Sequence, residues 1–224
     1  MMSIIPASRV NESSVDTILT LPEQTGSMAL ANACRETALE LLNDGQRWGK
    51  AELATWLMGP YSQLTQYLST RATRQGTGGE VQQRPVPMLR EIDARMVDRV
   101  IKNARTEVLE SLRSTYDAEG GAAFAFTMLS NGFVARCEDK AHVAGWVPTT
   151  DARRLADRVM SLLAADYLTR ATDYETELSI CSHCSYVEFD AVARMRGICH
   201  RHGSGLFIPK TIRRSTWPYL PEGA

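Results

Sequence analysis

Two short motifs constrain this chain more than anything else in it. The segment ICSHCSYVEFDAVARMRGICHRHG carries Cys181 and Cys184 at C-x2-C spacing, then Cys199 and His202 at C-x2-H spacing after fourteen intervening residues. A tight turn between two such cysteines brings both sulfurs to one tetrahedral ion while backbone amides face the thiolates. Three thiolates and one imidazole are the donor set of a closed structural zinc site. His202 is the expected fourth ligand, with His200 and His183 as alternatives. His200 directly follows a ligand, and His183 lies inside the first pair and would point outward. The binding energy of such an ion is largely folding energy for the small lobe that holds it. A redox C-x-x-C belongs to a strand–helix setting, and that reading leaves the second pair unexplained. A catalytic zinc keeps an open coordination position.

The segment resembles the zinc-ribbon family. It shares the first knuckle, a hairpin-sized stretch (YVEF and ARMRGI), and glycines before and after the second knuckle, Gly197 and Gly203. The likeness covers about residues 179–205. It departs from the family at the fourth ligand, often a cysteine there and His202 here. A two-stranded return between the knuckles is what the resemblance implies.

Upstream, the pattern is helical. Residues 1–22 read as a polar arm. Leu30, Ala33, Cys34, Ala38 and Leu41 follow a helical period over Ser27–Asn43, and Gly45 stops it. Lys50–Met58 is a second helix, broken at Gly59-Pro60 because proline disfavours helical geometry in the residue before it. Tyr61–Thr70 is a third. RATRQGTGGEVQQRPVP reads as a loop or domain boundary. Met88–Tyr116 is a long amphipathic helix ended by Glu119-Gly120-Gly121, and Ala122–Phe133 is a compact buried one. A further helix starts at Thr149 or Thr150, with Asp151 in its first turn. Strand patterns are nearly absent before residue 178. The expected fold is mainly α: an N-terminal arm (1–22), a helical domain (23–176), and a small C-terminal zinc-ribbon-like β lobe with a basic tail (177–224).

Two features point toward nucleic acid. The first is a helix-turn-helix pattern over 50–70, whose last helix would lie in the major groove. Ser62, Gln63, Thr65 and Gln66 are the candidate base contacts, and Arg71 and Arg74 the candidate phosphate contacts. The second is charge. The chain has a net charge of −1, so nucleic-acid binding must come from a local patch. Between Ala191 and Arg214 stand Arg194, Arg196, Arg201, Lys210, Arg213 and Arg214, and no acid. The tail TIRRSTWPYLP adds aromatics suited to stacking on bases or on a protein. The order of ALELLNDGQRWGKAELATWL, LTRATDYETELS and CSHC…CHRH is similar to that of FlhC-like transcriptional activators. That resemblance implies a zinc lobe after a helical body, and work on DNA beside a second subunit.

No glycine-rich phosphate loop, G-x-S-x-G or H-E-x-x-H occurs. Cys137 and His142 have no third group to complete a catalytic set, and Cys34 and Cys137 read as buried thiols. The acids Asp166, Asp173, Glu175 and Glu177 read as a solvated helix end. No enzyme activity and no small-molecule substrate are expected. No apolar run spans a membrane, no secretory signal is evident, and the five cysteines suit a reducing, cytoplasmic setting. The function expected is a zinc-containing, DNA-binding transcriptional regulator. The alternative is an adaptor whose zinc lobe and tail dock a partner protein.

Overall fold

The computed structural model describes residues 26–65, 96–137 and 145–203. Within them the chain is mostly helical, with two small antiparallel strand pairs. The elements are α1 (Gly26–Asp44), a 3-10 turn (Gly45–Arg47), α2 (Lys50–Trp56), α3 (Val97–Ser114), α4 (Ala118–Ser130), β1 (Val134–Cys137), β2 (Gly145–Pro148), α5 (Leu155–Tyr167), α6 (Ala171–Thr176), β3 (Leu178–Ile180), β4 (Val187–Phe189) and α7 (Ala191–Arg196). No described helix is long and apolar enough to cross a membrane.

Helix α5 is the centre. Every residue in it except Asp157 is buried. An all-round burial of this kind requires neighbours on all sides, and α1, α3, α4 and β2 supply them. On α1, Leu30, Cys34, Ala38 and Leu41 recur at helical spacing and are buried, and the small residues let α1 lie close to α5. On α3, Val97, Ile101, Ala104, Val108 and Leu112 form the buried stripe; the expected four-residue recurrence Met96, Val100, Ala104, Val108, Leu112 is followed only from Ala104 on, since Met96 is exposed and Val100 half-buried. The eight residues before Met96, where the pattern places the start of this helix, lie outside the described residues, as does the 1–22 arm.

Three local expectations are corrected. Glu119-Gly120-Gly121 does not end the long helix. It forms the first turn of α4, which Asp117 caps by accepting from the Gly120 amide at 2.7 Å. The helix expected from Thr149 or Thr150 begins instead at Leu155. Thr149 serves a turn: its hydroxyl donates to Gly132 O at 2.6 Å and accepts from the Asp151 amide at 3.3 Å. Strand structure also starts well before residue 178, because β1 pairs with β2 in register Val134↔Pro148 to Cys137↔Gly145.

At Gly59-Pro60 the helix does break, but as a kink. Residues Leu57–Tyr61 form a π-type turn in which Gly59 leaves helical geometry (φ −93°, ψ −106°) and helical backbone resumes at Ser62. Proline supplies no amide to the ladder, and the wider turn absorbs the loss. Trp56 and Tyr61 stack across the kink at 5.4 Å, and the Trp56 indole donates to Thr37 O at 2.9 Å.

Beneath the C-terminal lobe runs a buried polar network. Asp166 is fully buried and accepts from Arg35 Nε at 2.7 Å, Arg170 Nε at 2.9 Å and the Tyr174 hydroxyl at 2.8 Å. Arg35 also reaches Asp173 at 2.9 Å. The expected solvated helix end therefore does not hold for Asp166. A carboxylate so deep is tolerable only because its oxygens are all engaged. Around it Phe124, Tyr167, Tyr174 and Phe189 meet edge to face, a run that leads from α4 to β4.

Candidate metal centre

Strands β3 and β4 pair in register Leu178↔Phe189 to Ile180↔Val187, and the first cysteine pair sits in the turn between them. That turn is closed by Cys181 N–H to Tyr186 O and Ser185 N–H to Cys181 O, both at 2.9 Å. Ser185 adopts a positive φ of 57° to do it. The second pair follows α7. Asp190 caps that helix by accepting from the Ala193 amide at 2.7 Å, and Gly197 ends it in the left-handed region at φ 67°. The Gly197 carbonyl then accepts from Ser182 N–H at 3.1 Å, tying the two knuckles together. The ribbon resemblance holds for the β3–β4 turn but not for the stretch between the knuckles. ARMRGI is largely helix α7 rather than a returning strand, because Asp190 and Gly197 provide a cap at each end.

The folding of these two turns brings Cys181, Cys184, Cys199 and His202 together, with their ligand atoms all within 4.8 Å of one another. His202 Nδ1 lies 3.5, 3.6 and 3.3 Å from the sulfurs of Cys181, Cys184 and Cys199, and the sulfurs of Cys184 and Cys199 are 3.7 Å apart. Such a set can hold a metal ion. The alternatives for the fourth ligand are answered by geometry. His200 Nδ1 pairs with Glu188 Oε2 at 2.6 Å, and its ring meets Tyr186 edge on. His183 is outside the cluster, its ring 5.5 Å from that of His202.

The thiols are unlike one another. Burial pushes Cys181 up, but backbone amides of Cys199, Cys184 and His183 donating to its sulfur outweigh that and bring it down to about 6. Cys184 is pushed up to about 11 by burial and by the neighbouring Cys181 and Cys199 sulfurs. Without a cation, one sulfur ionises readily and holds the next back. A bound divalent ion removes that conflict and displaces the remaining protons. The isolated thiols behave differently: Cys34 and Cys137 are buried, and burial raises Cys34 well above the usual thiol range.

Two side chains, one that sequence patterns do not single out and one they assign a different role, lock this lobe to the helices. Asn43 of α1 clamps β4, its Nδ2 donating to Val187 O and its Oδ1 accepting from Val187 N–H, each at 2.8 Å. Arg194, a candidate phosphate contact, turns inward. Its guanidinium donates to Leu178 O at 2.7 Å and to Tyr174 O and Tyr116 O at 3.3 Å, and stacks over the Tyr116 ring. Arg196 and Arg201 are exposed on the lobe, and Arg201 lies over the Tyr186 ring at 4.3 Å.

Of the helix-turn-helix candidates, Gln63 is exposed and Ser62 half-buried. Thr65 is buried, with its hydroxyl donating to Ser62 O at 2.9 Å, and does not face outward. Gln66, Arg71, Arg74, Lys210, Arg213 and Arg214 lie outside the described residues, as does His142.

Fold and site together define a mainly helical protein bearing a Cys3His cluster that can hold a metal ion. Comparison with protein-family models, with curated proteins and with solved structures finds no match. The likeness to FlhC-like activators accordingly rests on the order of sequence features alone.

Proposed function

We propose that the cluster is a structural zinc site and that the protein is a DNA-binding transcriptional regulator. For zinc, the geometry of the donor set is the support. Bonds of about 2.3 Å to sulfur and about 2.0–2.1 Å to nitrogen in a tetrahedron require ligand separations of about 3.8 Å (S to S) and about 3.6 Å (S to N). The observed separations are 3.7 Å between Cys184 and Cys199, and 3.3–3.6 Å from His202 to the three sulfurs. Four protein ligands leave no open position, so the ion organises the two knuckles rather than activating water.

For DNA, the support is the placement of Arg196 and Arg201. Both are exposed beside the knuckle that ends in His202, within a stretch from Ala191 to Arg214 that has six basic residues and no acid. Cations fixed on a rigid metal-bound turn can follow a phosphate backbone with little ordering cost. The test is binding of the zinc-loaded protein to random duplex DNA at low and moderate salt. Affinity that falls steeply with salt, and falls further for Arg196→Gln with Arg201→Gln, is the expected result. Absence of binding at low salt removes this reading.

One observation favours the adaptor instead. Phe126 is 71 % exposed and Leu129 37 % exposed on the outer side of α4, where Ala122 and Ala123 are also exposed. Apolar groups grouped on one helix face are a common feature of protein contact sites. Salt-insensitive capture of a partner protein, lost on Phe126→Asp, would favour it.

A further inference from the structure

Beside the metal cluster lies a cavity of about 330 Å³ into which three arginines from three elements converge: Arg47 from the 3-10 turn, Arg105 from α3, and Arg201 from the second knuckle. No carboxylate is among the described residues that line it. We propose that this cavity is a binding site for a phosphate-bearing anion.

The three cations are held in different ways, and each keeps donors for a ligand. Arg105 is buried, at 8 % exposure, with Nε donating to Leu42 O at 2.7 Å. With the Gln46 amide oxygen turned to the guanidinium, that oxygen accepts from the two Nη atoms at 2.8 and 3.1 Å. These bonds fix the plane of the Arg105 fork without neutralising it. Arg201 lies with its guanidinium 4.3 Å over the Tyr186 ring, an arrangement that uses the face and leaves the in-plane N–H groups open. Arg47 is exposed, and among the described residues it has no carboxylate partner.

Charge balance points the same way. A zinc ion on three thiolates and a neutral imidazole carries one net negative charge, and Cys184 stands in the cavity wall. That offsets one of three guanidinium groups and leaves two without an anion; this step rests on the zinc reading. Asn43, also in the wall, is committed to β4 and contributes no charge. A single carboxylate occupies one arginine fork, whereas the several oxygens of a phosphate or pyrophosphate suit three forks arriving from different directions. The volume lies at the low end of the range for small-ligand pockets, and the site opens to solvent on the side of Gln46, Arg47 and Arg201, which are exposed. The phosphate could come from a nucleic-acid backbone or from a free phosphorylated molecule, and the chemistry at the cavity is the same.

The test is calorimetric titration of the zinc-loaded, full-length protein with inorganic pyrophosphate at low ionic strength, with zinc content measured before and after. The variants are Arg47→Gln and Arg201→Gln together, with Arg153→Gln as an exposed arginine that does not line the cavity. Binding that weakens about tenfold or more in the double variant, and is unchanged in Arg153→Gln, is expected from the loss of two charge-assisted contacts. No binding, or equal binding in all three proteins, overturns the site. Repeating the titration with a short duplex at saturation separates the sources. Loss of pyrophosphate binding identifies a backbone phosphate in the cavity, and persistence identifies a free phosphorylated ligand. Failure of the duplex itself to bind overturns the DNA reading and leaves the pyrophosphate result standing.

Discussion

Single residues in this protein carry more than their identity suggests. Arg194 and Arg201 belong to the same basic segment, yet one is half-buried and bonded to backbone carbonyls and the other stays exposed. Nothing in local sequence distinguishes them, because the difference depends on where Tyr116 and Leu178 arrive from elsewhere in the chain. Replacing Arg194 is therefore expected to loosen the lobe, and it belongs in no test of DNA contacts. Tyr61 offers a sharper prediction. It is 3 % exposed, and burial, which outweighs the opposing pull of the nearby Arg158 guanidinium, pushes its hydroxyl up to about 12. The folded state thus keeps it neutral above the ordinary tyrosine value of about 10. Its contribution is fully present below about pH 10 and is lost as pH rises toward about 12. A gap of about two units corresponds to about 2–3 kcal/mol. Tyr61→Phe keeps the stack on Trp56 and has no proton to lose. Its urea midpoint should fall less than the wild type's between about pH 9 and pH 12. Parallel curves for the two proteins would refute this role.

Among the elements, the long helices were legible and their junctions were not. The apolar period of α1 reaches the core as its spacing predicts, that of α3 does so only from Ala104 on, and α5 buries Arg158, Ser161 and Asp166 as well, which no apolar period marks. The β1–β2 pair was missed because VARC and GWVP are too short for a period of two to stand out, and their pairing depends on a connection of several residues. The glycine pair after α3 was misread for a related reason. Glycines usually break helices, but here tertiary proximity requires them. A Cβ on Gly120 would lie 1.9 Å from the Ser114 carbonyl oxygen, and one on Gly121 2.2 Å from Tyr167 Oη. The first obstacle is backbone, which cannot swing aside. Gly120→Ala should therefore cost about 1–3 kcal/mol, even though alanine is the better helix former. In a protein of this size that is a fall in melting temperature of about 2 to 12 °C. A variant as stable as wild type would show that the α3–α4 corner is not as tight as described.

At the scale of the whole molecule, the helices and the metal lobe share one core. Leu178 and Val187 belong to the same buried cluster as Leu30, Leu112 and Leu163. The Asn43 clamp, the Arg194 staple and the aromatic run to Phe189 reinforce that union. The three cysteines of the cluster could be read from spacing alone because tight turns of fixed length need no tertiary information, whereas the choice of His202 over His200 and His183 needed the folded geometry. The cavity of Arg47, Arg105 and Arg201 could not, since its three arginines lie far apart in the chain. On the zinc reading the ion is the expected organiser of the second knuckle, whose Cys199 and His202 place their ligand atoms within 4.8 Å of those of Cys181 and Cys184. The most direct test is elemental analysis of the protein purified without added metal, beside Cys181→Ser. The account predicts about one zinc ion per chain in the wild type, near-complete loss in the variant, and helical circular dichroism largely retained. A metal-free wild type that is fully folded, or a variant with undiminished zinc, would contradict it.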